Sequence, residues 1–169
     1  MTGLSKPLVL IGPMGVGKTT IGKKLAKALQ LDFIDTDAVL AADNGSINEI
    51  FSKQGEARFR ELEEAAVAKS LAKTAVIATG GGAVMSEANR KALTAKATVC
   101  YLSTDGRHMA SRLTNGNRPL LTKGIEGWKD IYEQRRATYE SVADFEIDTS
   151  SKPLAAIVQE IKSQLGINE

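Results

Sequence analysis

The amino-acid sequence predicts a three-layer α/β fold in which helices cover both faces of a mostly parallel, five-stranded sheet. Short apolar runs alternate with longer amphipathic stretches along the whole chain, which is the pattern of repeated β-α units. The short runs are continuously apolar, as in strands that are buried on both faces. The length of 169 residues and the 25% share of charged residues are those of one ordinary globular domain spanning residues 1–169.

The strands are predicted from five short runs rich in apolar and β-branched residues. They lie at residues 8–11, 33–34, 75–78, 98–102 and 145–147.

The amphipathic stretches between these runs predict the first helices. Over residues 19–29, Ile21 and Leu25 share one face, while lysines occupy most of the other. Ser46 begins a second helix with a Ser-x-x-Glu capping box. A further helix begins near Glu56, so the sequence predicts two consecutive helices in this part of the chain.

The C-terminal half contains two more helices and one long irregular stretch. Residues 114–127 show no clear period and contain three glycines, which is typical of a functional lid. The next helix covers residues 128–143, and Trp128 is expected to anchor it by packing. Pro153 and Gly166 mark the two ends of the last helix.

Composition excludes several classes of function. The net charge is only +2, which is too small for nucleic-acid binding through the overall field of the protein. The single cysteine, Cys100, cannot form an internal disulfide and fits a reducing compartment. No apolar run approaches the ~20 residues that a membrane helix requires. We therefore expect a soluble, cytoplasmic monomer that acts on small molecules.

The strongest motif is the segment from residue 12 to residue 19, which fits GxxxxGK[ST] between the first strand and the first helix. Glycines allow successive backbone N–H groups to point at a phosphate, and the helix N-terminus adds partial positive charge. Lys18 would reach the β and γ oxygens, and the Thr19 hydroxyl would ligate Mg²⁺. The alternative is a glycine-rich turn without a ligand. The predicted nucleotide-binding residues here are Gly12, Gly15, Val16, Gly17, Lys18, Thr19 and Thr20.

The rest of the sequence narrows this nucleotide site to a small kinase. No guanine-reading Asn-Lys-x-Asp string is present, and the chain is too short for a motor or a multidomain ATPase. One nucleotide-binding domain with a lid favours a P-loop kinase fold acting on a small metabolite or a nucleotide.

An acidic pair, Asp35 and Asp37, follows the second strand on the side where a doubly wound sheet binds its ligands. One carboxylate would steer Mg²⁺ through water, and the other would accept a hydrogen bond from the attacking hydroxyl. The alternative for either residue is a helix N-cap.

The acceptor side is predicted from glycines and arginines. Gly80, Gly81 and Gly82 end the third strand and would let a ligand approach the backbone; the alternative is a flexible turn. Arg60, with Glu63 one helical turn away, would form a cationic pocket opposite the phosphates together with Arg135 and Arg136. Each arginine alone has the alternative of a solvated helix face, but a guanidinium pair suits an acceptor that carries a carboxylate.

Two further arginines lie at the lid. Arg118 would neutralise charge on the transferring phosphoryl group when the lid excludes water. Arg112 would stack on the adenine or, equally, lie on a surface helix.

Six of these strings occur in the order and spacing of the shikimate kinase family, which this chain resembles over nearly its whole length. They are residues 12–20, Asp35-Thr36-Asp37, the FRELEE segment at 59–64, Gly80-Gly81-Gly82-Ala83-Val84, Arg118-Pro119-Leu120-Leu121 and Arg135-x-x-x-Tyr139.

The resemblance implies a fold of the nucleoside-monophosphate-kinase type and ATP-dependent phosphorylation of the 3-hydroxyl of shikimate, in aromatic amino-acid biosynthesis. It implies that Asp37, Arg60, Gly81 and Arg135 bind shikimate, with the two arginines on its carboxylate. ATP and Mg²⁺ are the implied cofactors, with Thr19 as a metal ligand, Asp35 acting through water and Arg118 as the lid arginine. Whether Asp37 is a true base or positions the hydroxyl stays open.

The chain departs from the family where Arg-x-Pro-x-Tyr is usual, because Arg135-Arg136-Ala137-Thr138-Tyr139 lacks the proline. Spacing to Tyr139 favours Arg135 over Arg136 as the pocket residue, although a register error would exchange them. Lys152 and Pro153 are expected on the adenine side. The competing functions are a gluconate-type kinase of the same fold and a catalytically silent nucleotide-binding regulator.

Overall fold

The computed structural model describes residues 4–109 and 124–167 of the chain. The strands are β1 Leu8–Ile11, β2 Phe33–Asp35, β3 Val76–Ala78, β4 Thr98–Ser103 and β5 Phe145–Asp148. The helices are α1 Lys18–Leu29, α2 Thr36–Asn44, α3 Ile47–Ser70, α4 Glu87–Lys96, α5 Gly124–Val142 and α6 Leu154–Gln164, and a short 3₁₀ turn covers Ala83–Met85.

The five strands form one sheet in the order β2-β3-β1-β4-β5, and every pairing among them is parallel. This confirms the predicted three-layer α/β fold. Because parallel strands share one direction, the carboxyl ends of β1, β2 and β3 lie at the same edge of the sheet, where the loops that follow them meet.

Alternation along the strands divides the core between the two faces of the sheet. On one face, Val9 and Tyr101 belong to a cluster packed with residues of α3, α4 and α5. On the other face, Leu10 and Leu102 pack with residues of α1 and α6. All four side chains are buried, and burial of each large apolar side chain contributes about 1.5–3 kcal/mol.

α3 consists of two helical segments that meet at Gly55, whose φ of 85° and ψ of 169° are not helical. The Ser46 side chain caps the first segment by accepting a hydrogen bond from the Glu49 N–H at 3.4 Å. The predictions of a capped helix at Ser46 and of a second one from Glu56 are therefore confirmed.

The predicted lid is wrong at its C-terminal end, because residues 124–127 form the first turn of α5. Gly124 and Gly127 suggested a loop, but Gly127 is buried beside Trp128, whose ring lies against Gly106. Tertiary packing thus overrides the poor helix propensity of glycine. Residues 114–123 of the predicted lid lie outside the described part of the chain.

None of the helices within residues 4–109 and 124–167 is both long and apolar enough to cross a lipid bilayer.

Candidate active site

The loop between β1 and α1 has the geometry of a phosphate cradle. Gly12 has no room for a side chain, since a Cβ there would lie 2.5 Å from the Leu102 carbonyl oxygen. Gly17 is the N-cap of α1 with a φ of 107°, and no side chain caps the N–H groups of this helix. The start of α1 therefore presents backbone N–H groups without a side-chain cap at the positive end of the helix dipole.

Lys18 is held close to this loop. Its ammonium donates hydrogen bonds to the carbonyl oxygens of Gly12 at 2.7 Å and Pro13 at 2.9 Å, and the residue is buried. The loop thus places one positive charge beside the row of backbone N–H groups, which suits the phosphates of a nucleotide.

A cavity of about 570 Å³, the donor cavity, opens in front of the cradle. The predicted nucleotide-binding residues line it, with the exception of Gly12: they are Gly15, Val16, Gly17, Lys18, Thr19 and Thr20. Lys152 lines the same cavity from the segment after β5, and its place on the adenine side stays a prediction.

The two carboxylate oxygens of Asp35 make different contacts, so that capping of a helix and a place at the donor cavity do not exclude each other. Its Oδ1 caps α2 by accepting the N–H groups of Asp37 at 2.9 Å and Ala38 at 3.4 Å. Its Oδ2 accepts a hydrogen bond from the Thr19 hydroxyl at 3.5 Å, and both residues line the donor cavity. A hydroxyl beside a carboxylate oxygen fits Mg²⁺, which binds through one or two such oxygens, waters and substrate phosphates.

A second cavity of about 330 Å³, the acceptor cavity, adjoins the first. Its lining comes from five separate segments of the chain: the loop between β1 and α1, α2, α3 with its cap, the triglycine turn after β3, and α5. All predicted substrate-binding residues are among the lining residues, namely Asp37, Arg60, Gly80, Gly81, Gly82 and Arg135.

Arg60 is fixed by two carboxylates on its own helix. Its guanidinium donates to Glu63 Oε1 at 2.8 Å and to Glu56 Oε2 at 3.4 Å. Only 1% of the Glu63 side chain is exposed, so this predicted pair is no solvated surface contact. Burial raises the pKa of Glu63 above its usual range, and Arg60 opposes that shift.

The triglycine turn makes room for protein side chains as well as for a ligand. A Cβ at Gly82 would lie 2.5 Å from Arg60 Nη2, and one at Gly80 would lie 2.9 Å from Asp37 Oδ1. Close approach, not an unusual backbone conformation, therefore explains glycine at these two positions.

Asp37 carries a buried carboxylate oxygen, Oδ1, that has no hydrogen-bond partner among the described residues. Burial, with a further contribution from the charge of Asp35, raises the pKa of Asp37, while Lys18 and Arg60 pull it down. A partly desolvated carboxylate between two cations is suited to accept a proton or a hydrogen bond from a bound hydroxyl.

The structure separates the two neighbouring arginines of α5. Arg135 is buried and lines the acceptor cavity. Arg136 is 46% exposed, pairs with Glu133 at 2.7 Å and lies over the ring of Tyr132. The choice of Arg135 as the pocket residue agrees with this placement.

Four residues line both cavities and form the boundary between them, which we call the joint: Met14, Asp37, Gly80 and Gly81. The joint puts the phosphate cradle and the acceptor cavity within reach of one transferring group.

Sequence reasoning missed part of this site. The sequence motifs assign no role to Met14, which belongs to the joint. Ile47 and Phe51 line the acceptor cavity, and the Phe51 ring packs 4.6 Å from that of Phe59. The i, i+4 spacing of Ile47 and Phe51 was the available signal. The predicted Arg112 and Arg118 lie outside the described residues.

Comparison with known proteins agrees with this geometry. The family model described as shikimate kinase matches residues 14–166. A shikimate kinase from Pseudomonas paraeruginosa is 43% identical over 94% of this chain and 95% of its own length. One from Bacillus anthracis is 40% identical over 95% of this chain and 98% of its own length. The solved structure of shikimate kinase from Acinetobacter baumannii in complex with shikimate is 34% identical, covers 95% of this chain and 93% of its own, and has a TM-score of 0.90.

Proposed function

This chain belongs to the shikimate kinase family, and we propose that its two adjoining cavities hold ATP and shikimate during the reaction of that family. The activity is the ATP-dependent phosphorylation of the 3-hydroxyl of shikimate to shikimate 3-phosphate, a step of aromatic amino-acid biosynthesis. The observation that carries the assignment of the cavities is the joint, where residues of the phosphate cradle and of the cationic acceptor cavity lie side by side.

The acceptor cavity suits a small acid that carries hydroxyl groups. Arg60 and Arg135 supply two guanidinium groups for its carboxylate, each able to donate two parallel hydrogen bonds. Phe51 and Phe59 supply an apolar wall for the ring. Binding of the carboxylate at the far wall would direct a ring hydroxyl towards the joint.

The chemistry of transfer is a single displacement at phosphorus. The bond from the acceptor oxygen to the γ-phosphorus forms while the bond from that phosphorus to the bridging oxygen of ADP breaks. The hydroxyl proton goes to Asp37 or to solvent past it. Catalysis rests on positioning and charge stabilisation, without a covalent enzyme intermediate.

The donor side provides the charge. Backbone N–H groups of residues 15–19 and the Lys18 ammonium would hold the β- and γ-phosphates. When bound, Mg²⁺ supplies positive charge against the phosphate oxygens; Thr19 would ligate it directly and Asp35 through water. We assign Arg118 to the transferring phosphoryl group and Arg112 to the adenine, as the family resemblance implies.

Residues 1–169 are proposed to act as one kinase domain and as a monomer, because both cavities are built from a single chain. The lone buried cysteine fits the reducing environment of the cytoplasm.

A coupled assay of ADP formation with shikimate, quinate and gluconate side by side tests the proposal. We expect turnover with shikimate to exceed turnover with either other acid by at least about a hundredfold, since hydroxyl geometry at the joint differs among them. Turnover confined to gluconate would overturn the substrate. Nucleotide binding without turnover of any acid would favour the regulator.

A further inference from the structure

The helix α5 touches both halves of the site through aromatic side chains. The Trp128 indole N–H donates to the Met14 carbonyl oxygen at 2.8 Å, and the Tyr139 hydroxyl donates to the Gly81 carbonyl oxygen at 2.6 Å. Met14 and Gly81 are two of the four joint residues. Each half of the joint is therefore held by a hydrogen bond from the same helix.

The two donors and the acceptor-side cation share one face of α5. Trp128, Arg135 and Tyr139 are spaced by 7 and 4 residues, so that a step of about 100° per residue places them in one stripe. All three are buried. The two donors are separated by 11 residues, which corresponds to about 16 Å along the helix.

Both donors are rigidly packed. The Trp128 ring lies against Gly106, where a Cβ would come within 2.9 Å of it, and it also contacts Tyr132. Tyr139 stacks on Tyr101, and burial raises its pKa to about 12, so its hydroxyl remains a donor at neutral pH. These packing contacts restrain both donors, which allows α5 to hold a defined spacing between the two loops.

The two loops also contact each other directly. A Cβ at Gly81 would lie 3.3 Å from the Met14 nitrogen and 3.7 Å from the Gly12 carbonyl oxygen. Small shifts of either loop would therefore change the alignment of donor and acceptor without emptying either cavity.

We propose that α5 sets the spacing between the phosphate cradle and the triglycine turn, with Trp128 and Tyr139 as its positioning residues. This inference rests on the proposed function for its kinetic consequence. The Tyr139 hydroxyl also interacts with the Arg135 side chain, but Arg135 itself is unchanged in Tyr139→Phe. Each substrate therefore keeps its own contact residues when α5 loses a link, so that alignment for transfer suffers more than binding.

The experiment compares Trp128→Phe, Tyr139→Phe and the double variant with a matched control, Tyr132→Phe. Tyr132 lies on the same stripe, and its hydroxyl pairs with the Tyr101 hydroxyl at 2.5 Å, with no hydrogen bond to either loop of the joint. The control therefore removes a buried hydroxyl from the same helix. Measurements are kcat, both KM values, dissociation constants for ADP and shikimate by calorimetry, and the midpoint of thermal unfolding.

We expect each single variant to lower kcat about tenfold, with both dissociation constants within about twofold of the wild type. Loss of either hydrogen bond disturbs the same distance between the two loops. The kcat of the double variant should therefore be no more than about twofold below the kcat of the slower single variant. The control should keep its kcat. Three results would overturn the proposal. They are a double variant whose loss in kcat is the product of the two single losses, a control with an equal loss in kcat, and a raised dissociation constant for one substrate without a fall in kcat.

A second measurement does not depend on turnover and remains valid if Trp128→Phe folds poorly. Trp128 is the only tryptophan in the chain, so the intrinsic fluorescence of the wild type reports on its surroundings. We expect ADP and shikimate each to change that emission, and Tyr139→Phe to lose the response to shikimate while keeping the response to ADP. No change with ADP would overturn the link to the cradle. A normal response to ADP in a chain that phosphorylates none of the acids would instead reject the proposed function alone.

Discussion

The donor cavity and the acceptor cavity both place positive charge where an anionic ligand would bind, but they are assembled from the chain in different ways. The donor cavity is lined largely by one continuous segment, residues 14–21, which contains the backbone N–H groups and the Lys18 side chain that we propose to contact the phosphates. The acceptor cavity gathers charged side chains from α2, α3 and α5 around a glycine turn. A backbone cradle recognises any similarly placed phosphate, whereas separate side chains select the shape and charge of one acceptor. Specificity should therefore depend on the acceptor side.

The largest effect should follow from the donor side, through Lys18→Met. Removal of the ammonium beside the phosphates is expected to lower kcat by on the order of 10³-fold, because this charge stabilises the transferring phosphoryl group. Lys18 lines the donor cavity but not the acceptor cavity, so the affinity for shikimate measured by calorimetry should stay unchanged. The exposed Lys27 on the same helix provides the control Lys27→Met. Ordinary turnover in Lys18→Met would contradict the role that we propose for the Lys18 ammonium on the donor side.

Asp37→Asn tests the joint itself. The amide keeps the size of the side chain but neither accepts a proton nor attracts the hydroxyl as strongly, and kcat should fall about 10²–10⁴-fold. Affinity for ATP should remain nearly intact. Asp43→Asn, at the exposed C-terminal end of the same helix, is the matched control. Unchanged turnover in Asp37→Asn would remove Asp37 from the mechanism.

Arg60→Ala tests whether the acceptor cavity alone determines the affinity for the acceptor. Loss of a guanidinium that grips a carboxylate should raise the KM for shikimate about a hundredfold and leave the KM for ATP unchanged. Arg58→Ala is the control, since Arg58 lies on the same helix but is exposed and pairs only with the exposed Glu61 among the described residues. If initial-rate measurements found an equal rise in the KM for ATP, Arg60 would belong to the donor side instead.

Glu63→Gln should have the smallest effect, and it appears in stability. The pKa of Glu63 in the folded protein is raised by burial above its usual value of 4.5. Its contribution to stability is therefore fully present below pH 4.5 and is lost as the pH rises through the higher folded-state pKa. Relative to the wild type, Glu63→Gln should gain free energy of unfolding as the pH rises from about 4 to about 8.

Denaturant titrations across that pH range measure the difference. Glu61→Gln, on the exposed side of the same helix, should show no such trend. A wild type and a Glu63→Gln variant whose stabilities change in parallel with pH would contradict the prediction.

The same contrast explains what the sequence could predict. The phosphate cradle is local in sequence, so Lys18 and Thr19 could be placed from a motif between a strand and a helix. The sheet followed from continuous apolar runs for the same reason. Local patterns also identified Ser46 as a cap and Glu56 as the approximate start of a second helical segment.

On the acceptor side, motifs could name residues such as Asp37, Arg60 and Arg135, but the contacts that bring them together join distant segments and are encoded by no local pattern. No local pattern identifies Met14, because its place in the joint arises from its contact with Gly81, which lies 67 residues away in the sequence. The first turn of α5 was missed because packing of Trp128 on Gly106, not helix propensity, stabilises it. The roles assigned to the site residues stay predictions until the variants are measured.

If the phosphoryl group crosses the joint as proposed, the position of the phosphate in the product is fixed by the geometry of the site. After incubation of the protein with ATP, Mg²⁺ and shikimate, a two-dimensional ³¹P–¹H correlation spectrum identifies the carbon that bears the phosphate. We expect one phosphorylated acid, whose phosphorus couples to the proton on carbon 3 and whose amount equals that of the ADP formed. ADP formed without a phosphorylated acid, or a phosphate on another hydroxyl, would contradict the proposed transfer.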